Sequence, residues 1–327
     1  MSQIARILVA IKDPWARSLP AADKAVQLAR SLGAEVRLFH ALSDPVLADV
    51  REMQDFARLE RERRERALAR LTTIAKRLKR GVAVTVAAEW DFPAYEAVIR
   101  AAQKFKADLI VAELHPTSHR LPWLLRFNDF ELLRLAPMAV LLVKSRRRYT
   151  RPAVLAALDP GQTRAKPAGL DARIVRYAST VSRALRGAMH AVYAYNFIVS
   201  PTFPRIGAIG MIGTAAIDTT ARSQARKALD RVLRPGTVAR SRRHVVAGFP
   251  ADAIDEVARK TKAGIVVMGA ISRSGARRLV FGNTADKLLD RLPCDVLVVK
   301  PVDFPNRVPK TLRGSQMIVH SSVQAGF

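Results

Sequence analysis

Cysteine is almost absent from this 327-residue chain, since Cys294 stands alone. That excludes an intramolecular disulfide and makes a reducing, cytoplasmic setting the expectation. Cys294 adjoins an apolar run, the place of a packed thiol rather than a nucleophile. The chain has no Walker GxxxxGK[ST] loop and no G-x-G-x-x-G. Gly207, Gly210 and Gly213 imitate a dinucleotide loop, but they follow the proline-bearing stretch Pro201–Pro204 and no strand leads into them. No apolar run reaches bilayer length. The run Ile4–Ile11 is too short for a signal peptide and stops at Lys12-Asp13-Pro14. No Ser/His/Asp order has the context of a hydrolase, and no motif joins Cys294 to a histidine, so catalytic machinery is not expected. His115 and His119 with Glu113 are the nearest approach to a zinc set. Pro116 breaks any helix that would align the two histidines, and no metal is expected. Aromatic residues are 6% of the chain and are not interleaved with its basic segments; no helix-turn-helix, RRM or zinc-finger pattern occurs. Acidic residues are scarce, 28 against 55 Lys plus Arg, for a formal net charge of +27. Such a surface attracts nucleic acid, anionic headgroups or nucleotides. The arginines are spread over both halves, which also fits an ordinary solvated surface.

What is present is a repeat. The first half opens with ILVAIKDP (Ile7–Pro14) and the second with VLAALDP (Val154–Pro160). Each half later carries Phe-Pro-Ala, at Phe92 and at Phe249, and each closes on P-x-x-V-L-x-V-K, at Pro137–Lys144 and Pro293–Lys300. Hydrophobic residues are 49% of the chain, enough for buried cores. The length and the repeat together predict two domains, 1–147 and 151–301, joined by a short basic linker and followed by a tail, 302–327. Pro301, Pro305 and Pro309 punctuate that tail without periodicity, so it is expected to be loosely docked or disordered.

Within each half, buried-strand runs alternate with helical periodicity. Strands are expected near residues 4–11, 35–41, 82–88, 108–113 and 140–143, with helices at 20–32, 49–80, 93–106 and 121–135 between them. The second half repeats the plan, with strands near 153–158, 188–194, 244–248, 264–269 and 296–299. Its helices are expected at 168–185, 214–233, 251–262 and 284–292. Strands separated by helices imply parallel β-α-β units, hence two tandem, doubly wound, five-stranded α/β domains. The fifth strands are expected to be edges that pair with one another in a pseudo-dimer. Residues 196–213 read as a long mobile loop. Its apolar Phe197, Phe203, Ile206 and Met211 would either cover a hydrophobic ligand or pack on the protein, and packing is the commoner outcome.

In an open parallel sheet, ligands sit beyond the carboxyl ends of the strands where the winding reverses. In the second half Asp159 ends the first strand and Gly269 the fourth. Between Gly269 and Thr284 the chain reads GAISRSGARRLVFGNT. Gly282-Asn283-Thr284 opens a helix, and a glycine turn at a helix N-terminus offers N–H groups and a positive dipole end to phosphate. Arg273, Arg277 and Arg278 lie in the same loop and suit phosphate oxygens. Asp159 is an acceptor for adenine or ribose donors. Asp13-Pro14 and Asp159-Pro160 also read as plain turn initiators, and Gly282 as a helix-entry residue.

The order G-x-x-S-x9-G-N-T, with GFPADAI, VVMGA and PCDVLVVKP around it, resembles the universal stress protein family in its tandem two-domain form. The resemblance covers both halves to about Pro301. It implies the fold of adenine nucleotide alpha hydrolases and a non-enzymatic role in binding ATP or another small anionic ligand, or in regulation, during stress. It places Asp159 at adenine, and Gly269, Ser272, Gly282, Asn283 and Thr284, with Arg273 in their loop, around ribose and phosphates. Ser272 departs from the family glycine, so ATP itself is less firmly implied than a small ligand. In the first half Glu113, Pro116 and Arg126 stand where the second has Gly269, Ser272 and Gly282. No nucleotide is expected there, although Asp13 remains. Two other readings stay open, a basic stress protein that binds nucleic acid or anionic lipid and a slow ATPase. The second is disfavoured because no general base or carboxylate pair accompanies the loop. Further association into a homodimer is also open.

Overall fold

Segments such as Ile7-Leu8-Val9-Ala10 and Ala139–Val143 carry apolar side chains at every position, the pattern of strands covered on both faces. In the computed structural model they are parallel strands. It describes residues 4–42, 56–79, 81–114, 130–161, 169–195, 207–270, 288–289 and 291–311, with 56 and 207–218 described by backbone alone. The chain divides into two units, Met1–Tyr149 with Asp303–Phe327, and Thr150–Val302. The first runs β1 (Arg6–Ala10), α1 (Pro20–Leu32), β2 (Glu35–Leu42), α2 (Phe56–Leu78), β3 (Val84–Trp90), α3 (Ala94–Phe105), β4 (Leu109–Glu113) and β5 (Ala139–Val143). The second runs β6 (Ala153–Leu158), α4 (Leu170–Ala184), β7 (Ala188–Tyr195), α5 (Gly207–Val232), β8 (Arg243–Ala247), α6 (Pro250–Lys260), β9 (Ala263–Gly269) and β10 (Asp295–Val299).

The strand order in the first unit is β3-β2-β1-β4-β5, all parallel. In the second it is β10-β9-β6-β7-β8, again all parallel. The doubly wound expectation holds in both. The winding reverses beside β1 and β6, so the crevices lie between the carboxyl ends of β1 and β4 and of β6 and β9. Local chemistry sets the helix ends. Pro20 begins α1, and Gly33, at φ 67°, ends it with its N–H donated to Ala29 O. Pro250 likewise begins α6.

One paired exchange shows how the repeats diverged while keeping the sheet. Asp108 accepts hydrogen bonds from the N–H groups of Ala5 and Arg6 at 2.8 and 2.9 Å, satisfying the entry to β1. The second unit has Pro152 at that entry, which has no N–H to give. Gly264 replaces the aspartate there, and a Cβ on it would lie 2.7 Å from Pro152 Cβ.

The structure corrects two sequence expectations. The predicted loop at 196–213 is helical from Gly207 onward, because α5 begins there and not at Thr214; residues 196–206 lie outside the described residues. The tail is not loose along its described part. Phe304 and Val308 are buried, and Pro309 O accepts a 3.2 Å hydrogen bond from Arg100. Of the expected helices 49–80 and 121–135, residues 56–78 and 130–135 are helical, and 49–55 and 121–129 lie outside the described residues.

Arg100 anchors the most buried charge cluster of the first unit. Its Nε and Nη2 each donate to Asp91 at 2.8 Å, and Nη1 donates to Glu96 at 2.9 Å. Burial pushes the Asp91 carboxyl up and the guanidinium pulls it back. The second unit has Val257 at the corresponding position of α6, a hydrophobic solution to the same packing site.

Lys300, just after β10, is 1% exposed, and burial lowers its ammonium to about 7 from an ordinary value of 10.5. Between those values the unfolded chain holds a proton that the folded chain has released, so stability rises with pH across the interval. Urea midpoints followed from pH 7 to 9.5 are expected to climb, and Lys300→Met to flatten the climb. A flat wild-type profile would rule out a proton-poor lysine here.

Candidate functional site

The two crevices start from the same sequence plan and end differently. In the first unit, Asp13 follows β1. Its Oδ1 accepts from Trp15 N–H at 2.8 Å and its carbonyl from Ala16 N–H at 3.3 Å, a closed turn of the kind aspartate initiates. Arg70 of α2 donates to Pro14 O at 3.0 Å, tying helix to turn. Across the crevice, Glu113 at the end of β4 turns its Oε1 to the N–H of Ala21, 3.1 Å away in the first turn of α1. Leu19 precedes that helix and gives no side-chain cap, so Glu113 supplies the acceptor from another element. A fixed carboxylate on a helix N-terminus occupies an electrostatic position that suits an anion. His40 of β2 completes this end of the sheet. Its Nδ1 lies 2.8 Å from Ile11 O, and burial holds the ring below the ordinary histidine value.

In the second unit the β9 end carries Gly269, without a side chain. A Cβ there would lie 2.8 Å from Leu170 Cδ2 and 3.2 Å from Ile174 Cδ1. The missing side chain is thus matched by two bulky residues of α4, a packing reason for glycine at this position. Ala270, next in sequence, donates its N–H to Val299 O at 3.0 Å and so belongs to the sheet ladder.

Asp159, at the β6 end, is half-buried, and its N–H is accepted by Asp171 Oδ1 at 3.2 Å. Asp171 lies in the first turn of α4 after Gly169, which takes φ 80°. Tyr193 of β7 faces the same place. Burial chiefly, then the charges of Asp159 and Asp171, push its phenol up. Gly161 lies against that phenol, and a Cβ on it would overlap Tyr193 Oη. The described half of the crevice is therefore rich in acceptors: two carboxylates and a protonated phenol that both donates and accepts. Such a set suits hydrogen-bond donors and repels anions.

Of the sequence candidates, the structure brings Asp159 and Gly269 to one crevice. Ser272, Arg273, Gly282, Asn283 and Thr284 lie outside the described residues, as do His115, Pro116, His119 and Arg126. Among the described residues no three His, Cys, Asp or Glu side chains are grouped for a metal. Sequence reading missed Asp171, Tyr193 and Gly161. Asp171 was visible as an acid in a first helical turn, while Tyr193 reads as one more apolar strand residue.

Comparison with known proteins gives a consistent picture. The universal stress protein family model matches residues 3–144 and 172–300. Universal stress protein E of Escherichia coli K12 is 25% identical over 94% of this chain and 98% of its own length, as is that of Salmonella typhi. Among solved structures, a functionally unknown protein from Pseudomonas aeruginosa PAO1 superposes with a TM-score of 0.69 at 23% identity, over 92% of this chain and 94% of that one. A universal stress protein from Archaeoglobus fulgidus gives 0.60 at 15% identity, over 91% and 99%. No helix among the described residues is long and apolar enough to cross a membrane.

Proposed function

The chain belongs to the universal stress protein family, and from that premise we propose that it is a non-enzymatic ligand-binding protein whose second unit takes an adenine nucleotide such as ATP. The observation that carries this reading is the contrast between the two crevices. Glu113 closes the first with a carboxylate on a helix N-terminus. The second carries no side chain at Gly269 and gathers Asp159, Asp171 and Tyr193 as nucleoside partners. In this reading Asp159 and Tyr193 hold the base and ribose. The sequence motif assigns the phosphates to Gly282, Asn283 and Thr284, with Ser272 and Arg273 beside them. The first unit is then structural or partner-binding.

The test is a thermal-shift series with ATP, ADP, AMP and adenosine. Ligand at 100-fold over Kd contributes about 2.7 kcal/mol to the bound state, several degrees for the unit that binds it. Asp159→Ala is expected to abolish the response to adenosine, and Gly282→Glu to abolish the additional response that the triphosphate gives. Absence of any shift with adenine nucleotides at millimolar concentration defeats the proposal. Phosphate release that follows the protein through purification and disappears in Gly282→Glu would convert the reading to a slow ATPase.

A further inference from the structure

The net charge of +27 is not evenly balanced along the described surface. On α2 the arginines are interleaved with Glu60, Glu62 and Glu65; Arg58 pairs with Glu62 at 3.1 Å and Arg66 with Glu62 at 3.9 Å. The helix of the second unit that covers β7 and β8 is different. Arg222, Arg226, Lys227 and Arg231 are exposed on α5, Arg234 just beyond it, and Arg240 and Arg242 on the 3-10 turn that leads into β8. Asp230 is the one acid between residues 219 and 243, and Arg243 already holds it in an ion pair. Beside it, His190 Nδ1 and His244 Nε2 lie 3.1 Å apart with their rings stacked; burial chiefly lowers both below the ordinary histidine value, helped by His244 and Arg242 for His190 and by Lys260 for His244.

We propose that this exposed basic segment of the second unit, from Arg222 through Arg242, is a docking surface for the phosphate backbone of duplex nucleic acid. The spacing suits the partner: within α5 Arg222 to Arg231 covers about 14 Å of helix axis, and a duplex advances about 3.4 Å per phosphate on each strand along its axis. Six of the seven cations are arginine, whose planar fork engages two phosphate oxygens at once. A lipid surface is the weaker fit. Helices that lie on membranes expose an apolar face, whereas Ala225, Leu229 and Leu233 are buried, and no large apolar side chain is exposed among residues 219–243. The absence of exposed aromatics on this segment points to backbone contact rather than base stacking. The surface is independent of the nucleotide crevice and stands or falls separately from it.

The experiment is fluorescence anisotropy with 20-base-pair DNA and RNA duplexes and the full-length protein, from 50 to 200 mM salt. Wild-type affinity is expected to fall steeply with salt. The triple variant R226E/R231E/R234E is expected to bind at least tenfold more weakly at 50 mM and to lower the log–log salt slope by about 3. The matched variant R58E/R64E/R66E, with the same charge change on α2, is expected to bind within threefold of wild type. If the glutamate variant fails to melt like the wild type, R226Q/R231Q/R234Q replaces it and should show a smaller loss in the same direction. Equal losses in the α5 and α2 variants would overturn the proposal in favour of diffuse charge. No duplex binding at 50 mM would overturn it outright. So would tighter binding to phosphatidylglycerol vesicles that the α5 variant alone loses, which would assign the surface to a membrane. An unchanged ATP thermal shift in the α5 variant keeps this result separate from that of the crevice.

Discussion

Arg100→Ala is expected to destabilise the first unit by about 3–5 kcal/mol, because it takes the guanidinium away from two buried carboxylates. Asp91 and Glu96 are 1% and 4% exposed, and Arg100 donates three short side-chain hydrogen bonds to them. The same substitution removes the donor to Pro309 O, so the described tail loses that polar contact while Phe304 and Val308 stay buried. The measurement is simplified by composition. Trp15, Trp90 and Trp123 all precede Tyr149 and no tryptophan follows, so tryptophan fluorescence reports the first unit alone. Its urea midpoint should fall by about 2 M for a slope near 2 kcal/mol/M. Adding Asp91→Asn and Glu96→Gln to the variant should restore part of the loss, since neutral amides cost less to bury than stranded charges. A loss below about 1 kcal/mol in the single variant would mean that water reaches the carboxylates and that the cluster is not a buried one.

Gly269→Glu, which installs in the second unit the residue that Glu113 provides in the first, is expected to cost about 3 kcal/mol or more. The two positions look interchangeable in the repeat and are not. In the first unit α1 presents Ala21 and Ala22 near the end of β4, leaving room for a carboxylate that bonds the Ala21 N–H. In the second, Leu170 and Ile174 fill the corresponding space, and even a single Cβ at 269 meets Leu170 at 2.8 Å. Far-UV circular dichroism in urea should show the loss, and Leu170→Ala in the same chain should recover part of it. The reciprocal change, Glu113→Gly, removes one hydrogen bond from a helix end and is expected to cost about 1 kcal/mol. If Gly269→Glu were as mild as its reciprocal, packing would not be the reason for the glycine.

Several features were legible before any coordinates. The repeat, the alternation of strand and helix, and the FPA and P-x-x-V-L-x-V-K markers located nearly every described strand within two residues, because each strand is a continuous apolar run bounded by turn chemistry. The α5 start was misread because Gly207, Gly210 and Gly213 lower helix propensity and stand beside prolines, so local preference argued for a loop. The tail was misread because two buried side chains and one carbonyl leave no periodic trace in sequence. At the crevice, Asp159 and Gly269 were readable as strand-end residues. Asp171 and Tyr193 come to Asp159 from two other elements, a coincidence of space that sequence spacing does not encode.

The sequence by itself determined the two-fold plan, the parallel α/β architecture and the family, since these rest on local patterns that recur in order along the chain. It also showed that the halves differ at positions 113 and 269. Only the tertiary structure decided what that difference means. Glu113 is a cap for α1, and Gly269 makes room for α4, because each faces a helix some ninety residues away in the chain. The charge followed the same division. The sequence already interleaves acids with the arginines of α2 and leaves Asp230 as the one acid between residues 219 and 243, whereas the fold buries Ala225, Leu229 and Leu233, leaves Arg222, Arg226, Lys227 and Arg231 exposed, and pairs Asp230 with Arg243. Net charge is a sum over residues, but a surface is made by which of them the fold leaves exposed.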